Sequence, residues 1–167
     1  DVAHKVGGVL SQAFPGRMPA ATPLEKLIAA GRLGRKNGLG FYRHAGKKRR
    51  PDPAVAGLLG LSRERSGASR DAITERMVLA MINEAARCLE EKVVADAGAI
   101  DLAMIFGAGF PPFRGGVLRH ADTLGLAKVE GRLIALRAEK GERFAPSALL
   151  SRLAAEGGTF TAPIVAG

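Results

Sequence analysis

The chain has 167 residues, 47% of them apolar and 25% charged, with a formal net charge of +9, a balance that can bury a core and marks a globular rather than a disordered chain. No run approaches the roughly 18 uninterrupted apolar residues of a spanning helix, and the first residues have neither the apolar run nor the cleavage site of a secretory leader. A single cysteine, Cys88, excludes an internal disulfide and fits a reducing, cytoplasmic setting.

The charge is uneven. Residues 1–70 carry 14 Lys/Arg against 4 Asp/Glu, whereas residues 71–167 carry 11 against 12. The excess gathers in Arg32, Arg35, Lys36, Arg43, Lys47, Lys48, Arg49 and Arg50. Such a cluster can meet nucleic acid, an acidic protein surface or the phosphates of a nucleotide-bearing substrate. With no nucleic-acid motif and only Phe41 and Tyr42 as nearby aromatics, nucleic acid is not expected, and the run reads as a solvated basic linker.

Asp1 can cap a first helix carrying Val2, Val6, Val9, Leu10 and Phe14, stopped by Pro15 and Gly16. Thr22, Pro23 and Glu25 form a start signal for a second helix that buries Leu24, Leu27 and Ile28 and stops at Gly31. Gly31, Gly34, Gly38 and Gly40 then favour a tight loop with an Asn37-Gly38 turn, ending in an extended Phe41-Tyr42. A glycine-rich basic loop can cradle phosphate, but this one lacks the strand-loop-helix context of a P-loop. Pro51-Asp52-Pro53 start a short helix through Val55, Leu58 and Leu59, and residues 60–70 read as linker.

The central helix, capped by Asp71 or Ser69, is expected to run to about Lys92. Its apolar stripe is read as Ile73, Met77, Ala80, Met81, Ala85 and Cys88, widened by Val78, Ile82 and Leu89. Cys88 is taken as a buried, inert thiol. Asp96 caps a second helix holding Ile100, Ala103, Met104 and Phe106 and ending at Gly107. In GAGFPPFRGG the prolines prevent helix, while Phe110 and Phe113 are expected to pin the turn by burial. Helices over about 116–122, 125–140 and 146–156 complete the set, and the tail after Gly157 has no periodicity. His4, His44 and His120 lack a carboxylate at dyad spacing and read as surface or packing histidines; no metal-ligand set is read.

At an offset of 126 residues the chain resembles itself: Leu10 falls on Leu136, Arg17 on Arg143, Leu24 on Leu150, Leu27 on Leu153, Ala29 on Ala155 and Gly31 on Gly157. A duplicated module would make the chain begin inside its first copy, so a piece of a longer protein is expected.

RMVLAMINEAARCLEE, AIDLAMIFGAGFPPFRGG and LRHADTLG resemble the second dehydrogenase C-terminal repeat of the multifunctional fatty-acid oxidation alpha-subunit family, which joins enoyl-CoA hydratase to 3-hydroxyacyl-CoA dehydrogenase. LGRKNGLGFY resembles the end of the first repeat. The resemblance implies an all-α fold of two related helical modules of the 6-phosphogluconate-dehydrogenase C-terminal-like type, the first truncated. The division it implies is residues 1–45 as the end of the first repeat, 46–70 as basic linker, 71–160 as the second repeat and 161–167 as tail. It also implies a dehydrogenase whose His-Glu pair and NAD belong to a Rossmann domain elsewhere in the parent, so that no catalytic or cofactor-binding residue is expected in this chain. GAGFPP itself fails as a dinucleotide fingerprint, because prolines follow where a helix should open.

The family's catalytic repeat has a substrate-contacting Asn immediately before the Arg of its central helix; here Glu75 precedes Arg76, so residues 71–157 are expected to brace the Rossmann and hydratase domains without catalysing. Acyl-CoA and a thiolase subunit are further partners by resemblance. Arg35, Lys36, Asn37 and Arg114 are the candidate contacts to substrate or a neighbouring domain. Asn83 and Glu84 are read as structural polar residues, Glu84 as the acceptor for loop N–H groups or for Arg114. The competing reading is a non-enzymatic helical scaffold that meets a partner through its basic loop.

Overall fold

Residues 1–18, 22–61 and 67–161 are described by the computed structural model, and the chain divides into two units, Asp1–Gly67 and Ala68–Gly167. The tail beyond 161, residues 19–21 and residues 62–66 of the 60–70 linker lie outside the described residues. Among the described residues, no helix is long and apolar enough to cross a membrane.

The first unit begins with α1 (Val2–Ala13), whose N-cap position Asp1 makes no side-chain cap hydrogen bond. Its valines do not find a core: Val2, Val6 and Val9 are 66%, 52% and 66% exposed. Helix α2 (Thr22–Ala29) buries Leu27, with Leu24 and Ile28 half-buried. The loop after it closes on itself, since Gly34 N–H donates to the Leu39 carbonyl at 2.7 Å and the Asn37 side chain bonds Gly31, Leu33 and Leu39. Gly40 must be glycine, because a Cβ there would lie 2.9 Å from the Gly34 Cα.

The basic run corrects the linker expectation. Residues Tyr42–Ala45 (β1) and Lys48–Pro51 (β2) pair as an antiparallel hairpin with Arg43 opposite Arg50 and His44 opposite Arg49. Gly46, at φ +58°, takes the first turn position, where a two-residue turn of type II′ needs positive φ. Like charges facing across a ladder disfavour the strand pairing. Asp52 offsets this at the hairpin base: its carboxylate pairs with Arg43 at 3.0 Å and with Arg32, and it is 5% exposed. The same carboxylate accepts the Ala54 N–H at 3.2 Å and so starts α3 (Ala54–Leu59).

The second unit is helical. Ser69, rather than Asp71, caps α4 (Arg70–Glu90) by accepting the Ala72 N–H at 3.1 Å, and Asp96 does the same for α5 (Ala97–Ala108) through Ala99 at 2.9 Å. Helix α5 runs past Gly107 to a left-handed Gly109. A single 3₁₀ turn, Pro112–Arg114, sits within the proline segment, and α6 (Val117–Leu124), α7 (Leu126–Lys140) and α8 (Ala148–Glu156) follow. The core joins Leu79, Ile82 and Ala86 of α4 to Ile100, Phe110, Val117, Leu118, Ala121, Val129, Leu133, Phe144 and Leu150.

The buried face of α4 overlaps the stripe read from the sequence only in part: Ile82 and Ala85 of that stripe are buried. Leu79, Ile82, Asn83 and Ala86 face inward, at the three- and four-residue spacing of one side. Ile73 and Met77, on roughly the opposite side, are 40% and 61% exposed, while Ala80, Met81 and Cys88 are half-buried. The helix is apolar around most of its circumference, and periodicity alone placed the first part of the stripe, Ile73 and Met77, on the wrong side. Phe113 likewise does not pin its turn: it is 85% exposed, against 4% for Phe110.

Helix ends in the two units match at the offset of 126. Gly31 and Gly157 both have positive φ, +69° and +64°. Arg32 N–H donates to the Leu27 carbonyl at 2.9 Å, and Gly158 N–H to the Leu153 carbonyl at 2.8 Å, the same cap bond at equivalent positions.

Candidate functional site

The first half of α4, the 110–114 turn and the facing sides of α6 and α7 enclose a groove of about 480 Å³. Its walls are Val78, Leu79, Phe110, Pro111, Leu124 and Val129, and its polar groups are Asp71, Thr74, Glu75, Arg114, His120, Lys128 and Arg132. Glu75 and Arg132 join α4 to α7 by a bidentate pair, Nε to Oε1 at 2.9 Å and a second guanidinium nitrogen to Oε2 at 2.5 Å. That hydrogen-bonded guanidinium holds the Glu75 carboxyl below its ordinary range.

Arg114 and His120 form the other polar corner. His120, on α6, is 8% exposed, and one guanidinium nitrogen of Arg114 lies 3.4 Å from Nδ1 and 3.3 Å from Nε2. Burial, and then the Arg114 charge, push the imidazole below its ordinary value and so favour its neutral form. The Arg114 guanidinium also lies 5.7 Å from the centre of the Phe113 ring.

The turn is set by an exchange between Asp101 and Gly116. Gly116 stands at the N-cap of α6 with no side chain to offer, and the Asp101 carboxylate does the capping instead, accepting the N–H groups of Leu118 at 2.7 Å and Arg119 at 3.1 Å. A Cβ at Gly116 would fall 2.2 Å from Asp101, and its φ is +115°, so both space and backbone require glycine. Burial outweighs these two hydrogen bonds and raises the Asp101 carboxyl above its ordinary range.

This turn does not fit a dinucleotide. It follows helix α5 rather than a strand, Pro111 and Pro112 supply no N–H, and beside Gly116 an Asp101 carboxylate occupies the place where a pyrophosphate would need donors.

The sequence-derived candidates are scattered rather than assembled. Asn37 has both ends of its amide engaged by its own loop. Arg35 is exposed on the same turn, and Lys36 pairs with Asp1. Arg114 is in the groove, but against His120. Glu84 is exposed and pairs with Arg87 at 3.2 Å, where loop N–H groups or Arg114 were the expected partners.

The buried polar tie lies one residue earlier. Asn83, 2% exposed, donates to the Ala145 carbonyl at 2.8 Å and accepts the Ser147 N–H at 2.9 Å, fastening the start of α8 to α4. Sequence reasoning missed Lys128, Arg132 and Asp101 altogether and left His120 among packing residues. Lys128 and Arg132 recur at four-residue spacing on α7, and that was the one available signal.

The C-terminal domain of 3-hydroxyacyl-CoA dehydrogenase matches residues 73–161, which contain the whole groove apart from Asp71. Alpha subunits of the fatty acid oxidation complex from Shewanella amazonensis, Shewanella halifaxensis and Shewanella loihica are 45%, 42% and 40% identical over 96% of this chain. The chain spans 23% of the length of each. A crystal structure of the dehydrogenase part of multifunctional enzyme 1 from C. elegans shares the fold at a TM-score of 0.59 and 22% identity, over 89% of this chain and 35% of that one.

Proposed function

The chain belongs to the 3-hydroxyacyl-CoA dehydrogenase family, through its C-terminal domain, and from that membership we propose that it is the helical C-terminal portion of a cytoplasmic fatty-acid β-oxidation multienzyme. In this reading the parent hydrates enoyl-CoA and oxidises the resulting 3-hydroxyacyl-CoA. NAD sits on the parent's Rossmann domain, and the present residues brace that domain and the hydratase domain. Acyl-CoA and a thiolase subunit meet the parent, not a catalytic centre in these residues.

The observation that carries a bracing role is Glu75. By resemblance, the catalytic repeat of this family has a substrate-contacting Asn there; in this chain a carboxylate stands in its place, tied to Arg132 through two hydrogen bonds. Surface aromatics support it: Phe106 and Phe113 are 84% and 85% exposed, and fully exposed phenylalanines on separate elements suit burial against another domain. The cap bonds repeated at 126 residues support reading α1 and α2 as the end of a first, incomplete copy of the module.

The test is an assay of NADH formation from 3-hydroxyacyl-CoA. The chain alone is expected to give none, and adding the Rossmann and hydratase portion of a relative, prepared without its own C-terminal part, is expected to restore oxidation that neither component shows separately. Turnover by the chain alone, or failure of the two parts to associate, overturns the proposal.

A further inference from the structure

The polar corner of the groove has donors without acceptors. A neutral imidazole offers one bare nitrogen and one N–H, and a guanidinium only donates. Arg114 can therefore satisfy the bare nitrogen of His120, but it leaves the imidazole N–H with no acceptor among the described residues, 92% removed from solvent as the residue is. Arg114 keeps further N–H groups of its own, and Lys128 adds a positive charge from α7. Of the acids lining the groove, Glu75 is taken up by Arg132, which leaves Asp71 in the first turn of α4. Thr74 adds a hydroxyl on the α4 side, and the rest of the wall is hydrocarbon.

We propose that this groove binds a small amphipathic carboxylate, its head group accepting from Arg114 and the His120 N–H and its hydrocarbon body lying along Val78, Leu124 and Val129. A carboxylate supplies the acceptor that the corner lacks, and a cation in that place would meet Arg114 and Lys128. The volume, about 480 Å³, is that of a one-ligand cleft. Glu75 lines the same groove, but its carboxylate is held by Arg132, so the head group is placed at the Arg114–His120 corner.

Octanoate and 1-octanol are titrated into the 167-residue chain by calorimetry, with the His120 imidazole followed by NMR. Octanoate is expected to bind saturably and at least about tenfold more tightly than the alcohol, the weight of one charge-assisted hydrogen bond, and to shift the His120 ring resonances. Arg114→Ala, at the surface and so neutral for folding, is expected to lose about tenfold in affinity, with Arg114→Lys recovering part of it. Equal binding of acid and alcohol, an unmoved His120 signal, or unchanged octanoate affinity in Arg114→Ala overturns the proposal. His120→Phe, which keeps a ring but removes the N–H, gives a second variant expected to weaken octanoate and leave octanol unchanged.

Discussion

Two buried aspartates behave oppositely, and the difference is in what faces them. Asp52 meets Arg43 and Arg32, whose hydrogen bonds hold its carboxyl from the ordinary 3.8 down to about 2. Its pairing therefore stabilises the first unit at and above about pH 4 and is lost as pH falls from 3.8 through about 2, because the unfolded chain takes up the proton first. Tyr42 is the only tyrosine, there is no tryptophan, and it pairs with Pro51 beside Asp52, so tyrosine fluorescence reports this hairpin alone. Acid titration should show the signal changing in that window and the change disappearing in Asp52→Asn. Asp101 carries the reverse sign: burial raises its carboxyl, so the native state takes up the proton first and this group favours the fold as pH falls. Gly116 is the residue with least freedom. Gly116→Ala forces a Cβ into Asp101 from a left-handed backbone, and the second unit should lose about 2–4 kcal/mol by urea denaturation. Neither pairing was legible beforehand, since Asp101 and Gly116 lie fifteen positions apart and nothing in their local pattern couples them.

Elements were legible where local chemistry sets their ends. Ser69 and Asp96 cap α4 and α5, glycines close α3 and α8 in left-handed conformations, and the start signal at Thr22–Pro23 opens α2, whereas α5 ends at Gly109 rather than at the expected Gly107. Faces were less legible. Helix α4 has apolar residues around most of its circumference, so the choice of buried side depends on where α6 and α8 lie. A direct comparison follows: Leu79→Ala, at 3% exposure, should cost about 2–4 kcal/mol, whereas Met77→Ala, at 61%, should stay within about 0.5 kcal/mol in thermal or urea melts. Equal costs would return the buried face to the stripe read from periodicity. The hairpin was hidden for a related reason. Five positive side chains between Arg43 and Arg50 resemble a solvated loop, and it takes the Asp52 carboxylate and the paired backbones to make a ladder of them.

At the scale of the whole molecule, the second unit has a continuous core from Leu79 to Leu150, a tie from Asn83 to the start of α8, and a clasp in which Asp122 accepts the N–H groups of Phe160 and Thr161 at 2.8 and 3.0 Å. Residues 68–167 produced alone should therefore remain helical by circular dichroism and melt cooperatively; a non-cooperative melt would show that this core needs the first unit. The sequence by itself determined the helical class, the family and the positions of most helix starts and stops, because caps, glycine turns and motif strings act over a few neighbouring positions. Only the tertiary structure decided which side of α4 is buried, that the basic run is a hairpin, that Glu75 is bound to Arg132, and that Arg114 and His120 share a groove. Each of these depends on residues brought together from distant parts of the chain, where burial and the competition for hydrogen-bond partners, rather than local propensity, fix the outcome.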